Sequence, residues 1–156
     1  MEFIPLPELS KEDKETILKL WNEEYPASLS YTYSEFETYL EALTDQFHVV
    51  VKSENQTIEA WYFDFIREGE RWFAIIVGSR LQGKGLGSKL LDLAKEKRAE
   101  LNGWVMDKEA VQKNNGELYK SPLRFYLKNG FDHHENERLE NKKMSAVKIK
   151  WMRTPN

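Results

Sequence analysis

Cysteine is absent from all 156 residues. Disulfides and a thiol nucleophile are therefore excluded, and the composition favours a reducing, cytoplasmic address. No stretch reaches 18 consecutive apolar residues, so no transmembrane helix is expected. The opening Met1-Glu2-Phe3-Ile4-Pro5 has neither the basic start nor the apolar core of a secretory leader. There is no internal repeat and no low-complexity tract. Formal charge is only −3, which gives no drive toward nucleic acid or an anionic membrane, and neither is expected as a partner. What remains is ordinary globular material. Hydrophobic residues make up 40% and aromatics 13%, enough for one core in one domain spanning 1–156.

Periodicity and turn residues divide the chain into short elements. Glu2 to Leu6 reads as a strand. Ser10 caps a helix running to Trp21, with Ile17, Leu18, Leu20 and Trp21 on one face. Glu23 to Tyr33 reads as loop, and Ser34 as the cap of a second helix through Phe36, Tyr39, Leu40 and Leu43. Phe47 to Val51 is a strand. Thr57 to Arg67 is a longer one with Trp61, Phe63 and Phe65 on one face, and Glu68-Gly69-Glu70 turns it into Trp72–Val77. A helix to about Leu101 follows, with Leu86, Leu90, Ala94, Lys97 and Leu101 on one stripe. Gly103–Met106 is a fifth strand, and Lys108 to Lys120 a polar loop. Ser121 caps a short helix with Pro122 at its first position, and Asn129-Gly130 stops it. Phe131 starts a sixth strand and Ala146–Met152 is the seventh.

The chemistry concentrates where the fourth strand meets its helix. Gly83, Gly85 and Gly87 stand at alternate positions there. Glycines at such a junction let backbone N–H groups face a ligand, and the helix N-terminus adds its positive end. The result is an anion site suited to phosphate or pyrophosphate. A nucleotide P-loop is one reading: Gly78 through Lys84 supply its first seven positions, but Gly85 stands where a magnesium-binding hydroxyl is needed. A dinucleotide G-x-G-x-x-G pattern is another, and it ends wrongly at Ser88 or at Leu90.

A third pattern fits. Gln82-Gly83-Lys84-Gly85-Leu86-Gly87 matches Q/R-x-x-G-x-G/A, and the chain here resembles the acyl-CoA pyrophosphate loop of the GNAT N-acetyltransferase superfamily. Val77 occupies that family's strand-ending valine, while Ser79 replaces a frequent proline. Downstream, Phe125-Tyr126-Leu127-Lys128-Asn129-Gly130-Phe131 resembles the family's F-Y-x-K-x-G-F segment. The resemblance covers the second half of the chain well and the first half in element order alone. It implies an α/β (α+β) GNAT acyltransferase fold: a mixed, mostly antiparallel seven-stranded sheet flanked by about four helices.

By the same resemblance, the protein transfers an acetyl group from acetyl-CoA (coenzyme A) to an amine, by direct attack and without an acyl-enzyme. Gln82, Gly83, Lys84, Gly85, Leu86, Gly87 and Ser88 would bind the pyrophosphate. Ile76 and Val77 would offer backbone groups to the pantetheine arm, with Ser121 and Phe125 beside it. Tyr126 would be the general acid, since a phenol with pKa near ~10 suits a departing thiolate. The family often has an asparagine about seven residues earlier, where Tyr119 stands here. For a general base the sequence offers Asp107 first and Asp64 second, and either can equally be a solvated strand-end carboxylate. Glu23, Glu24, Tyr25, Tyr31, Tyr33, Glu35 and Glu37 form an acidic, aromatic stretch that would wall the site of a cationic acceptor. The resemblance leaves open whether the acceptor is a small molecule, a peptide terminus or a protein lysine, and whether the chain is a monomer or a homodimer. His133-His134-Glu135 lacks partners at zinc-site spacing, and no metal is expected. His48, in an apolar strand, reads as structural. A non-catalytic acyl-CoA-binding module and a nucleotide-binding regulator stand as alternatives.

Overall fold

The computed structural model describes residues 1–108 and 111–155. The elements run β1 (Glu2–Leu6), α1 (Lys11–Glu24), α2 (Tyr33–Glu41), β2 (Thr44–Lys52), β3 (Ile58–Arg67), β4 (Glu70–Val77), α3 (Leu86–Lys97), β5 (Glu100–Met106), α4 (Leu123–Lys128), β6 (Asp132–Glu140) and β7 (Ser145–Met152). This is the expected order. Short 3-10 turns at Ala27–Leu29 and Ser79–Leu81 punctuate the connections.

The seven strands form one sheet in the order β1-β2-β3-β4-β5-β7-β6. Every neighbouring pair is antiparallel except β4 and β5, which run parallel. Among the described residues the β4–β5 ladder is confined to Trp72↔Asn102. Beyond that point the two strands part, and the sheet opens toward the end of β4 that carries the glycine loop.

Alternation along the strands sends side chains to two cores. Trp61, Phe63, Phe65, Trp72 and Ile76 pack under α1 and α2 with Ile17, Trp21, Phe36 and Leu40. Tyr62, Phe73, Val105 and Ile149 pack under α3 and α4 with Leu90, Leu91, Tyr126 and Phe131. β3 is thus buried on both faces from Ile58 to Phe65, which is why it reads as a near-continuous apolar run. His48 lies in the first core at 1% exposure. Its Nδ1 accepts from the Trp61 indole at 3.1 Å and its Nε2 donates to Gln46 at 3.0 Å, so the ring is the neutral Nε2–H tautomer.

Several boundaries differ from expectation, each for a local reason. Ser10 does cap α1, accepting from the Asp13 N–H at 3.0 Å, but the helix continues to Glu24. Thr32, not Ser34, caps α2, because Glu35 closes a reciprocal capping box with it. α3 ends at Lys97, and Leu101 belongs to β5, although it continues the helical spacing. Arg98 leaves the helix with extended backbone, and its guanidinium reaches the Asp64 carboxylate. α4 begins one residue late: Pro122 is its cap residue, and the Ser121 hydroxyl accepts from the Leu123 N–H at 3.3 Å. Of the polar stretch 108–120, residues 109 and 110 lie outside the described part. Residues 111–119 form a small turn closed by Lys113 N–H to Glu117 O at 2.9 Å and Tyr119 N–H to Val111 O at 2.8 Å.

Candidate functional site

β4 ends against β3, where the Gly78 N–H donates to Glu59 O at 2.9 Å. A Cβ on Gly78 would stand 3.2 Å from that same carbonyl, so the close approach explains this glycine. The chain then turns through Ser79–Leu81. The Ser79 N–H and hydroxyl both donate to Glu24, at 2.8 and 2.6 Å. Gln82 folds its amide back onto Val77 O at 2.9 Å. Its side chain therefore braces the loop while staying exposed.

Gly83 and Gly85 have φ of +78° and +84°, the left-handed region, and an ideal Cβ on either would meet nothing within 4 Å. Gly85 then serves as the N-cap of α3 without any side-chain cap. Among the described residues, the amide N–H groups of 83–88 donate to no acceptor. These six consecutive amides lie at the positive end of a twelve-residue helix, and no acidic side chain occurs from Ser79 to Lys89. That cradle is open, donor-rich and free of negative charge, so the residues fit a pyrophosphate. Lys84 is exposed on the loop and Ser88 half-buried at the first helical turn. Gly87 has a separate reason: a Cβ there would lie 2.9 Å from the Phe125 ring, so α4 sits directly on the start of α3.

Tyr126, on α4, packs against Phe73 of β4. It is 7% exposed, with its ring against Phe73, Phe125 and Phe131 at 5.7, 5.1 and 5.5 Å. Burial pushes its phenol pKa well up. Ile76 and Val77, the last residues of β4, face opposite cores, and their backbone lies along the opening. Two further phenols approach Tyr126. Tyr25 follows the end of α1, and burial together with the Tyr119 and Tyr126 hydroxyls raises its pKa. Burial pushes Tyr119 up to about 12. Sequence reasoning placed Tyr25 in the acceptor wall but gave Tyr119 no role. Its one signal was position, seven residues before Tyr126.

The candidate bases fare differently. Asp107 lies at the end of β5, but both its oxygens accept from Arg138 at 2.9 Å, and that guanidinium holds its carboxyl below the usual range. A carboxylate clamped this way is a poor proton acceptor. Asp64 is 1% exposed and holds Arg71 and Arg98 while accepting from the Tyr62 hydroxyl. It pairs with Phe73, well back along β4 from the glycine loop. Both are structural ion pairs. Ser121 keeps to its local turn and Phe125 packs on Gly87.

The acidic, aromatic stretch is divided. Glu24 and Tyr25 point to the end of β4. Glu35 is spent on the Thr32 cap, and Glu37 accepts from Lys14 and the Tyr33 hydroxyl. Tyr31, Glu35 and Tyr39 line a surface groove of about 550 Å³ that also includes Phe65 and Arg67, at the opposite end of β3 from the glycine loop. His133 and His134 sit on the edge strand β6 with Glu135 and Glu137 as neighbours. Among the described residues no cluster suited to a metal ion occurs, and no helix is long and apolar enough to cross a membrane.

Residues 44–133 match the family model of the acetyltransferase (GNAT) domain. No curated protein matches the sequence significantly. Among solved structures, an aminoglycoside 6'-N-acetyltransferase complexed with coenzyme A superposes with a TM-score of 0.73 at 12% identity, covering 100% of this chain and 99% of that one. Escherichia coli ElaA gives 0.67 at 14% identity, over 96% and 99%. The spermidine/spermine N-acetyltransferase SpeG from Vibrio cholerae gives 0.62 at 17% identity, over 97% and 92%. At these identities the structures speak for the fold.

Proposed function

This chain belongs to the acetyltransferase (GNAT) family, and we propose that it transfers the acetyl group of acetyl-CoA to a primary amine by direct attack in a ternary complex, with residues 1–156 acting as one domain. The observation that supports the reading is the run of six unbonded amides, 83–88, at the start of α3, with Phe125, the neighbour of Tyr126 in α4, packed directly on Gly87. Those amides would hold the pyrophosphate. The backbone of Ile76 and Val77 would align the pantetheine arm along the open edge of β4. The donor supplies an activated acyl thioester. Tyr126 would supply the proton that the leaving sulfur needs. Both the aminoglycoside and the spermidine/spermine of the neighbouring enzymes are amines, which supports that acceptor class.

The test is an amine panel with acetyl-CoA, read as released free thiol; the protein contributes no thiol of its own. Transfer to at least one amine is expected. Tyr126→Phe removes one oxygen and keeps the ring among Phe73, Phe125 and Phe131. Turnover should fall ~10²–10⁴-fold with acetyl-CoA affinity little changed. Tight acetyl-CoA binding with no transfer to any amine would instead make the protein a non-catalytic acyl-CoA-binding module.

A further inference from the structure

Proton removal from the acceptor has no obvious agent here. Among the described residues, Asp107, Glu24 and Glu59, the carboxylates held near the ends of β4 and β5, are all committed. Asp107 holds Arg138 through both oxygens. Glu24 holds the Ser79 N–H and hydroxyl and lies 3.5 Å from Lys113. Glu59 pairs with Arg80. Beyond the rings of Phe73, Phe125 and Phe131, two phenols lie near enough to Tyr126 to influence its neighbourhood, Tyr25 and Tyr119. Tyr25 and Tyr119 are brought there by a latch between residues 22–30 and 111–119. Ala27 N–H donates to Gln112 O at 2.8 Å and Pro26 bridges Lys113. The Asn114 amide donates to Asn22 O at 2.8 Å and to the Ser30 hydroxyl at 2.7 Å. Among the described residues, nothing donates to or accepts from the hydroxyls of Tyr25, Tyr119 and Tyr126. Three half-buried or buried phenols without partners, at the end of the parted strands, make a neutral, donor-and-acceptor surface.

We propose that the acceptor is a weakly basic primary amine of the α-amino kind, bound as the free base with its N–H groups on the Tyr25 and Tyr119 oxygens, and that none of these three carboxylates serves as base. This rests on the acetyltransferase reading above. An ammonium brought among neutral phenols loses its hydration and gains no counter-ion, so the charged form is penalised. Attraction to the aromatic faces is small beside that loss. The proton balance agrees. The nitrogen lone pair forms the C–N bond, and the C–S bond breaks with its electrons on sulfur. Nitrogen gives up one proton and sulfur gains one. From a free amine the step releases no proton overall, so a relay suffices: Tyr126 gives its proton to sulfur and recovers one from nitrogen through a neighbouring phenol. Only an ammonium acceptor would leave a surplus proton for a base.

The consequence is selectivity by basicity. At pH 7.5 about a third of an α-amine is free base, against about one in a thousand of a lysine-type amine. Glycinamide and n-butylamine, of similar size, form the test pair. Glycinamide should win in kcat/KM by ~10-fold or more, since the gap of ~10² in free base is partly offset by the stronger nucleophilicity of butylamine. For each amine kcat/KM should rise with pH up to that amine's own pKa. Calorimetry of n-butylamine binding to the enzyme–coenzyme A complex at pH 7.5, in two buffers of different ionisation heat, should show about one proton released. Tyr25→Phe and Tyr119→Phe should each lower acceptor kcat/KM ~10-fold or more while leaving coenzyme A affinity unchanged. Binding without proton release, or a preference for n-butylamine, would overturn the proposal and leave the acetyltransferase reading standing. So would loss of the acidic limb in Asp107→Asn, which would reveal a carboxylate base. Failure of transfer to every amine would count against the acetyltransferase reading itself.

Discussion

Replacing Gly87 by alanine sets two effects of known size against each other. Gly87 is the second residue of α3, and alanine in a helix is favoured over glycine by about 0.8–1.0 kcal/mol. The new Cβ, however, would stand 2.9 Å from the Phe125 Cζ and 3.4 and 3.6 Å from its Cε atoms. Carbon contacts settle near ~3.5–4.0 Å, so the ring must recede by roughly half an ångström or more. Phe125 is packed against the core and covalently next to Tyr126, so it cannot recede without moving α4. Overpacking of this kind costs about 1–3 kcal/mol. Gly87→Ala alone should therefore be neutral to destabilising by about 2 kcal/mol, and turnover should drop as Tyr126 shifts. With Phe125→Leu the obstacle shrinks, and the same alanine should stabilise by up to about 1 kcal/mol. Urea unfolding of the four proteins measures the coupling, expected at about 1–3 kcal/mol. If alanine has the same effect in both backgrounds to within about 0.5 kcal/mol, the ring does not sit on Gly87 and the contact between the two helices is misread.

Gly85→Glu should abolish measurable acetyl-CoA binding in calorimetry. It forces a side chain into the left-handed region and sets a carboxylate among the six unbonded amides; equal binding by the folded variant would remove the loop from the site. His48 predicts a pH effect on stability. Burial holds its pKa down to about 4, against about 6.5 when unfolded. The unfolded chain thus takes up the proton first as pH falls, so stability is full above 6.5 and is lost between 6.5 and about 4, by about 3 kcal/mol at most. Urea midpoints at pH 7 and 5 should differ clearly for the parent and less for His48→Gln; an equal shift in both would assign the effect to other groups.

The anion loop was legible from sequence because everything it needs is contiguous. Glycines at 83 and 85 permit the positive φ, the stripe from Leu86 onward starts the helix, and the unbonded amides follow from those two facts. The element order was legible for the same reason, since period and turn residues act locally. Errors arose where one local signal imitated another. Leu101 sits at helical spacing from Ala94, yet the helix ends at Lys97 once Arg98 finds Asp64 across the sheet. Thr32 and Ser34 each have a glutamate three residues on, but Glu35 folds back onto the Thr32 N–H while Glu37 is taken by Lys14 and the Tyr33 hydroxyl, so the cap falls at Thr32.

Which side chains meet across the sheet was decided by tertiary structure alone. Asp107 looked like a base at a strand end until Arg138, 31 residues away, took both its oxygens. Glu24 looked like a free wall acid until Ser79, 55 residues away, claimed it. Tyr25, Tyr119 and Tyr126 come from three separate segments, and no spacing in the chain announces that Tyr25 feels the other two. Backbone conformation is set by neighbours within a few residues, so sequence patterns disclose it. Ion pairing and the meeting of distant side chains depend on how β5, the 111–119 turn and α1 stack, and local pattern carries no record of that register.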